Sequence, residues 1–281
     1  MSAATGLQFC ASRPVFLAPF DGTRDKFAML NGLKLRGAPA YLASVTSAAE
    51  ADVALKGGVD VIDAKDPAKG ALGALDLSEI MRIIASVSGR APVSATVGDL
   101  PSEAAVMCAA AMATAQTGAD IVKVGFFDTS GAAAAIAALG TADLGSARLV
   151  AVLMADREPD LALIPAMARA GFAGVMLDTA DKASGSLTEI LGFGRLREFL
   201  SAVRETKMVA GLAGSLRAID VQPLVRLQPD VLGFRGALCG RSRTSALEAG
   251  RVASIRAAID AAAKSKSSEA ELLKSLEGPL A

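Results

Sequence analysis

The sequence of 281 residues holds no histidine and no tryptophan, one tyrosine and three cysteines. Without histidine there can be no Ser-His-Asp triad, no imidazole metal ligand and no imidazole acid–base catalysis. Proton transfer near neutral pH then falls to Lys, Asp, Glu, Tyr or Cys, with pKa values moved by their surroundings. Cys10, Cys108 and Cys239 are odd in number and widely spaced. That is no disulfide framework, and it suits a reducing compartment. Net charge is missing too, since 29 Lys+Arg balance 29 Asp+Glu, and no basic run carries interleaved aromatics. The expected partners therefore include neither nucleic acid nor an anionic membrane surface. A charged start followed by an apolar stretch, the mark of a secretory signal, is absent. The longest apolar run, around 104–115, is shorter than the ~20 residues a bilayer span needs. These absences predict a cytoplasmic protein.

What is present is an apolar, repetitive chain, 52% hydrophobic. From residue 40 onward, short β-branched runs alternate with Ala/Leu-rich helical patterns. Strands are expected at 40–45, 59–64, 92–97, 119–124, 148–154, 172–177, 206–210 and 229–234. Most are continuous apolar runs, as in parallel strands covered on both faces. Helical patterns lie between them, for example at 47–56, 102–117 and 189–203. Ser47 with Glu50 fits a capping box, Ser102 is a plausible cap, and Gly57-Gly58, Gly118 and Gly171 fit helix ends. Eight βα units predict an α/β protein of the (β/α)8 TIM-barrel type. A dinucleotide fold would want G-x-G-x-x-G after the first strand, where Thr46-Ser47-Ala48-Ala49 stands instead. The expected organisation is an N-terminal extension over 1–38, a catalytic barrel over 39–263 and a C-terminal tail over 264–281.

In such a barrel the chemistry sits where strands run into the following loops. Strand 2 ends in Asp63-Ala64-Lys65-Asp66, strand 4 carries Lys123, and strand 6 ends in Asp178 with Lys182 just beyond. A lysine inside an apolar strand is costly to desolvate. Its pKa falls, a second lysine nearby depresses it further, and the neutral amine can attack a carbonyl. The structural alternative is that Lys65 and Lys123 merely pair with Asp63 or Asp178. Asp63 and Lys65 stand two apart on one strand, so they face the same side, which places a carboxylate within expected reach of the amine. After strands 7 and 8 come Gly214-Ser215 and Arg235-Gly236, where backbone N–H groups and a helix start suit a phosphate. Cys239 lacks a thiolate partner and reads as a packed thiol. Asp156 and Asp99 are each weighed as site residue against loop or turn former.

At these residues the sequence resembles the (5-formylfuran-3-yl)methyl phosphate synthase family, also called 4-(hydroxymethyl)-2-furancarboxaldehyde-phosphate synthase. The resemblance runs from about Leu42 to Arg251. It rests on Asp63-Ala64-Lys65-Asp66-Pro67 followed by Gly70-Ala71-Leu72-Gly73-Ala74, then Val93–Asp99 and Gly118–Gly125. Met176–Ala180 with Lys182, Leu212–Ser215 and Gly233–Cys239 complete it. The 1–38 segment has no counterpart in shorter members, and the loops at 153–159 and 241–247 differ. The resemblance implies an aldolase-type barrel that condenses two glyceraldehyde 3-phosphate molecules with loss of phosphate and water. The product serves methanofuran-type one-carbon carriers. Lys65 then matches the Schiff-base lysine and Lys123 the proton acceptor. Asp63, Asp178 and Lys182 support them, while Gly214, Ser215, Arg235 and Gly236 hold phosphate. No cofactor or metal is expected, because a protonated imine supplies the electron sink. A homo-oligomer is expected from apolar outer helices such as 102–117. Two alternatives stay open: another class I aldolase or sugar-phosphate isomerase, and a non-catalytic barrel that binds a phosphorylated ligand.

Overall fold

The computed structural model describes residues 38–276, so residues 1–37 of the N-terminal extension lie outside the described residues. Eight parallel strands close into one barrel, each paired with its sequence neighbours and β1 with β8. They are β1 (Ala40–Val45), β2 (Val61–Ala64), β3 (Val93–Thr96), β4 (Ile121–Phe126), β5 (Arg148–Met154), β6 (Gly174–Asp178), β7 (Val209–Leu212) and β8 (Val231–Phe234). The helices between them are α1 (Ala48–Lys56), α2 (Leu77–Val87), α3 (Ala104–Ala115), α4 (Ala132–Thr141) and α5 (Ile164–Arg169). Then come α6 (Leu187–Ile190), α7 (Phe193–Glu205), α8 (Ala218–Arg226) and α9 (Ala249–Leu276). All eight expected strands are present, and the fold is the expected TIM barrel.

Four strands, β2, β4, β6 and β8, begin two residues later than the apolar runs suggest, and one device accompanies three of these late starts. Asp60, Asp120 and Asp230 stand just before β2, β4 and β8. Their carboxylates accept the backbone N–H of Tyr41, Val93 and Ala210 on the preceding strands, at 2.8–2.9 Å. These aspartates stitch the bottom of the barrel, where a hydrogen bond to a charged acceptor outweighs one more residue of strand.

Side-chain alternation splits the core into two layers. The larger packs between sheet and helices, with Ile80, Ile83, Phe199 and Leu200 on the helix side. The smaller fills the lumen, with Leu42, Val61, Ile121, Val150, Val152, Met154 and Met176. Each such side chain taken out of water contributes about 1.5–3 kcal/mol. Continuing the same lumen-facing rows upward gives Ser44, Asp63, Lys65, Ser94, Lys123 and Asp178. Apolar filler thus gives way to polar and charged groups in the upper layers of the barrel.

Helix ends depart from expectation in instructive ways. The Ser47 hydroxyl accepts the Glu50 N–H at 3.3 Å, but the Glu50 carboxylate takes the Thr46 N–H and the Arg235 guanidinium rather than closing the box on Ser47. Ser102 caps nothing. Its hydroxyl points to the Asp128 carbonyl at 3.5 Å, and α3 starts after Glu103. The pattern at 189–203 is two helices, broken at Leu191-Gly192. The last helix runs unbroken from Ala249 to Leu276, straight through the polar stretch that follows Ala263.

Candidate active site at the carboxyl ends of the strands

A cavity of about 400 Å³ opens at the carboxyl ends of the strands. Its floor and walls carry Asp63, Lys65, Lys123, Asp178 and Lys182, and its rim carries Gly214, Ser215, Arg235, Gly236 and Arg243. Every residue singled out in the sequence for this site therefore lines one space. Room for it comes partly from glycine. At Gly233 a Cβ would lie 3.1 Å from the Ala213 side chain and 3.4 Å from Leu42.

Lys65 and Lys123 are 5% and 4% exposed, so both amines are withdrawn from bulk water. Their partners are crossed relative to the two-residue spacing. Asp63 does not hold Lys65. It accepts Lys123 Nζ at 2.8 Å, Ser94 Oγ at 2.7 Å and Ser44 Oγ at 2.8 Å. Two residues along a strand are about 6.6 Å apart, so Asp63 sits one layer below Lys65. At its own level it meets Ser44 and Ser94, with which it is paired in register on β1 and β3. Lys65 instead reaches Asp178 Oδ2 at 3.4 Å, from β2 across to β6.

Asp178 holds a second amine as well. Its Oδ1 accepts Lys182 Nζ and the Thr179 N–H, the latter at 2.8 Å, and Lys182 also reaches Thr179 Oγ1 at 3.2 Å. The inner cluster thus sets three lysines against two carboxylates. Burial alone would raise both aspartates, but the amines around them win. Lys123 and Lys65 hold Asp63 below the ordinary carboxylate range, and Lys182 and Lys65 do the same for Asp178. Burial pushes the Lys182 amine below the usual lysine value, with Lys65 adding to the fall and Asp178 opposing it. The ion pairs of the structural alternative are real. They nevertheless face an open cavity and leave one amine in excess, which a purely structural network has no need to do.

The loop after β7 presents backbone donors. Gly214 and Ser215 have φ of +107° and +48°, which turns the chain back over the mouth. At Gly214 a Cβ would lie 2.8 Å from Thr179 Cγ2, so only glycine fits. Among the described residues no protein acceptor takes the N–H of Gly214, Ser215 or Leu216, and α8 begins just beyond. This is an arrangement suited to an anion.

Arg235 differs from its expected use. All its donors go to protein: Glu50 Oε2 and Oε1 at 2.5 and 3.2 Å, and the carbonyls of Ser44, Arg243 and Ser245 at 3.1, 2.8 and 2.9 Å. The guanidinium locks the β8 loop to β1 and α1, although the residue also lines the cavity. Cys239 is buried, its thiol directed to the Arg235 carbonyl at 3.3 Å, and burial pushes its pKa up. A packed thiol is what the sequence suggested.

Three residues that sequence reasoning left undecided or overlooked brace the site. The Asp156 carboxylate takes the N–H groups of Ala180 and Asp181 at 2.7 Å each, fixing the loop that carries Lys182. The Asp99 carboxylate takes those of Ala71 and Leu72 at 2.8 and 2.6 Å. Gly70, at φ +121°, passes so close that a Cβ would lie 2.2 Å from Asp99 Oδ2. Arg243, in a loop without regular periodicity, donates to the Gly70 carbonyl at 3.0 Å. The signal for the two aspartates was their place at strand ends; for Arg243 there was none.

Known proteins similar to this chain point to one family and one fold. Residues 41–256 match the family model described as 4-HFC-P synthase. A Methylorubrum extorquens protein named provisionally as (5-formylfuran-3-yl)methyl phosphate synthase is 42% identical over 217 residues, covering 76% of this chain and 89% of that protein. The (5-formylfuran-3-yl)methyl phosphate synthases of Methanosarcina acetivorans and Archaeoglobus fulgidus are 35% and 32% identical, over 73% and 78% of this chain and 93% and 98% of theirs. Among solved structures, phosphoribosyl anthranilate isomerase from Thermus thermophilus superposes with a TM-score of 0.57 at 12% identity, over 79% of this chain and 98% of that one. A 3-keto-L-gulonate-6-phosphate decarboxylase from Vibrio cholerae gives 0.57 at 14%, over 80% and 98%. At such identities the structures speak for the barrel alone. The relatives and the matched family model speak for more: this chain belongs to the (5-formylfuran-3-yl)methyl phosphate synthase family.

Proposed function

We propose that this enzyme condenses two molecules of glyceraldehyde 3-phosphate into (5-formylfuran-3-yl)methyl phosphate through a Schiff base on Lys65. The observation that carries the reading is the placement of Lys65. It is a buried amine at a barrel mouth, beside a cavity of about 400 Å³ and held by a carboxylate shared with a second amine.

As the free amine, Lys65 Nζ adds to the carbonyl carbon of one triose, and loss of water leaves the imine. Asp178 holds Lys65 and Lys182 together, so that one can give up its proton while the other stays charged. The Lys123–Asp63 pair removes a proton next to the imine carbon and makes the enamine. The enamine carbon attacks the aldehyde of the second triose. Eliminations of phosphate and water, ring closure and release from Lys65 follow, driven by formation of the aromatic ring. The protonated imine is the electron sink. The free N–H groups at Gly214 and Ser215 hold a phosphoryl group, with Gly236 allowing close approach on the β8 side and Arg235 keeping that loop in place. The product's use in building a methanofuran-type carrier follows from the same reading.

The test is incubation with glyceraldehyde 3-phosphate while following ultraviolet absorption and free phosphate. A furan aldehyde chromophore rising together with released phosphate supports the reading. A new sugar phosphate without phosphate release would indicate an ordinary aldolase or isomerase, and ligand binding without turnover a non-catalytic barrel.

A further inference from the structure

Six cationic side chains line the cavity: Lys65, Lys123, Lys182, Arg217, Arg235 and Arg243. Five are matched by carboxylates. Lys123 has Asp63, Lys65 and Lys182 share Asp178, Arg217 has Glu189 and Asp220, and Arg235 has Glu50. Arg243 is the exception. Among the described residues no carboxylate lies within ion-pair distance of it, and its side chain makes one hydrogen bond, from Nη2 to the Gly70 carbonyl. The residue is nevertheless held in place. Its own carbonyl accepts Arg235 Nε at 2.8 Å, so the saturated Arg235 clamp presents Arg243 over the mouth. Burial works against its charge, with Asp178 only partly offsetting that.

Topology fixes where this cation points. Arg243 leaves the loop after β8 and its guanidinium reaches the loop after β2, where Gly70 lies. In an eight-stranded closed barrel β2 lies opposite β6, and the free N–H groups of Gly214 and Ser215 lie on the β6–β7 side. The mouth therefore has two anion-seeking faces, with Lys65 and Asp178 between them. We propose that Arg243 is a second phosphoryl-recognition residue, binding the phosphate of one substrate molecule on the β2 side while the β7 loop holds the other. This rests on the triose-phosphate reading above and deepens it. A planar guanidinium with most of its donors free can take two phosphoryl oxygens at once, which a lysine cannot.

The experiment titrates inorganic phosphate calorimetrically into the full-length wild type, Arg243→Gln and Arg243→Lys. Glutamine keeps a donor for the Gly70 carbonyl and removes the charge. The expected result is loss of one phosphate site in Arg243→Gln, and in Arg243→Lys a site weakened roughly tenfold for want of the bidentate fork. A glutamine variant that keeps every phosphate site of the wild type overturns the proposal. Borohydride trapping on Lys65 supplies the second readout. In Arg243→Gln, trapping of glyceraldehyde 3-phosphate should fall while trapping of unphosphorylated glyceraldehyde stays at the wild-type level. Equal losses for both aldehydes mean that Arg243 only props the Gly70 loop, and the proposal fails. Phosphate binding does not depend on turnover. A wild type that makes no furan aldehyde, yet loses a phosphate site on Arg243→Gln, would overturn the reaction and leave the anion site standing.

Discussion

Lys65 Nζ stands 3.4 Å from Asp178 Oδ2, the two side chains meeting across the barrel from β2 and β6. Asp178 also accepts Lys182, so removing its charge leaves two buried amines facing each other. Asp178→Asn should therefore lower kcat/KM by roughly 10²–10⁴, as for loss of a group that manages proton transfer. It should also cost about 3–5 kcal/mol of stability for stranding buried charge. Asp178 opposes the depression of the Lys182 pKa, so in the variant the alkaline limb of the pH–rate profile should move to lower pH. A limb that stays or moves up would show that Asp178 does not govern these amines.

Replacing the nucleophile gives a different signature. Lys65→Met removes the amine and keeps an unbranched chain, while Asp178 retains Lys182 as partner. Activity should vanish with a change in unfolding free energy within about 1.5 kcal/mol, the range of volume-conserving swaps. Thermal unfolding beside the furan-aldehyde assay reads both. Residual turnover at a tenth of the wild-type rate would remove Lys65 from the chemistry.

Acid should unfold the barrel through its inner carboxylates. Asp63 is held below the ordinary carboxylate value in the fold, chiefly because Lys123 and Lys65 outweigh its burial. A depressed group contributes stability that is complete above about pH 4 and is lost as pH falls through the folded value. Urea midpoints of the wild type should thus drop steeply below about pH 4. Asp63→Asn, already weakened at neutral pH by its unpaired Lys123, should show a flatter acid dependence. Parallel curves would contradict the linkage.

Arg235 is expected to matter for folding more than for phosphate. Its guanidinium is fully used on Glu50 and three carbonyls. Arg235→Met leaves Glu50 buried beside the Thr46 and Leu247 N–H groups without its cation. The expected loss is about 3–5 kcal/mol. Glu50→Gln should cost a similar amount, since it strands the buried guanidinium and sets an amide NH2 against N–H donors. A normal melting temperature with weakened phosphate affinity would restore Arg235 to the binding role that its place after β8 suggested.

Much of this could be read in the sequence because a barrel writes its plan locally. Each strand is an apolar run, and each charged interruption, Asp63, Lys65, Lys123 or Asp178, marks a carboxyl end where filler is no longer needed. Pairing could not be read. Whether Lys65 meets Asp63 or Asp178 depends on stagger and closure, which set residues 113 apart in sequence side by side. The same limit hid the use of Arg235, whose partner Glu50 is 185 residues away and looked like half of a capping box. Arg243 and the bracing roles of Asp156 and Asp99 belong to loops, where no period ties a residue type to a direction.

Borohydride reduction in the presence of glyceraldehyde 3-phosphate, followed by peptide mass mapping, asks most directly whether the Lys65 amine captures the substrate carbon. A reduced triose adduct on the peptide carrying Lys65, absent in Lys65→Met, is the expected result. An adduct on Lys123 or Lys182 instead, or none while turnover continues, would contradict it.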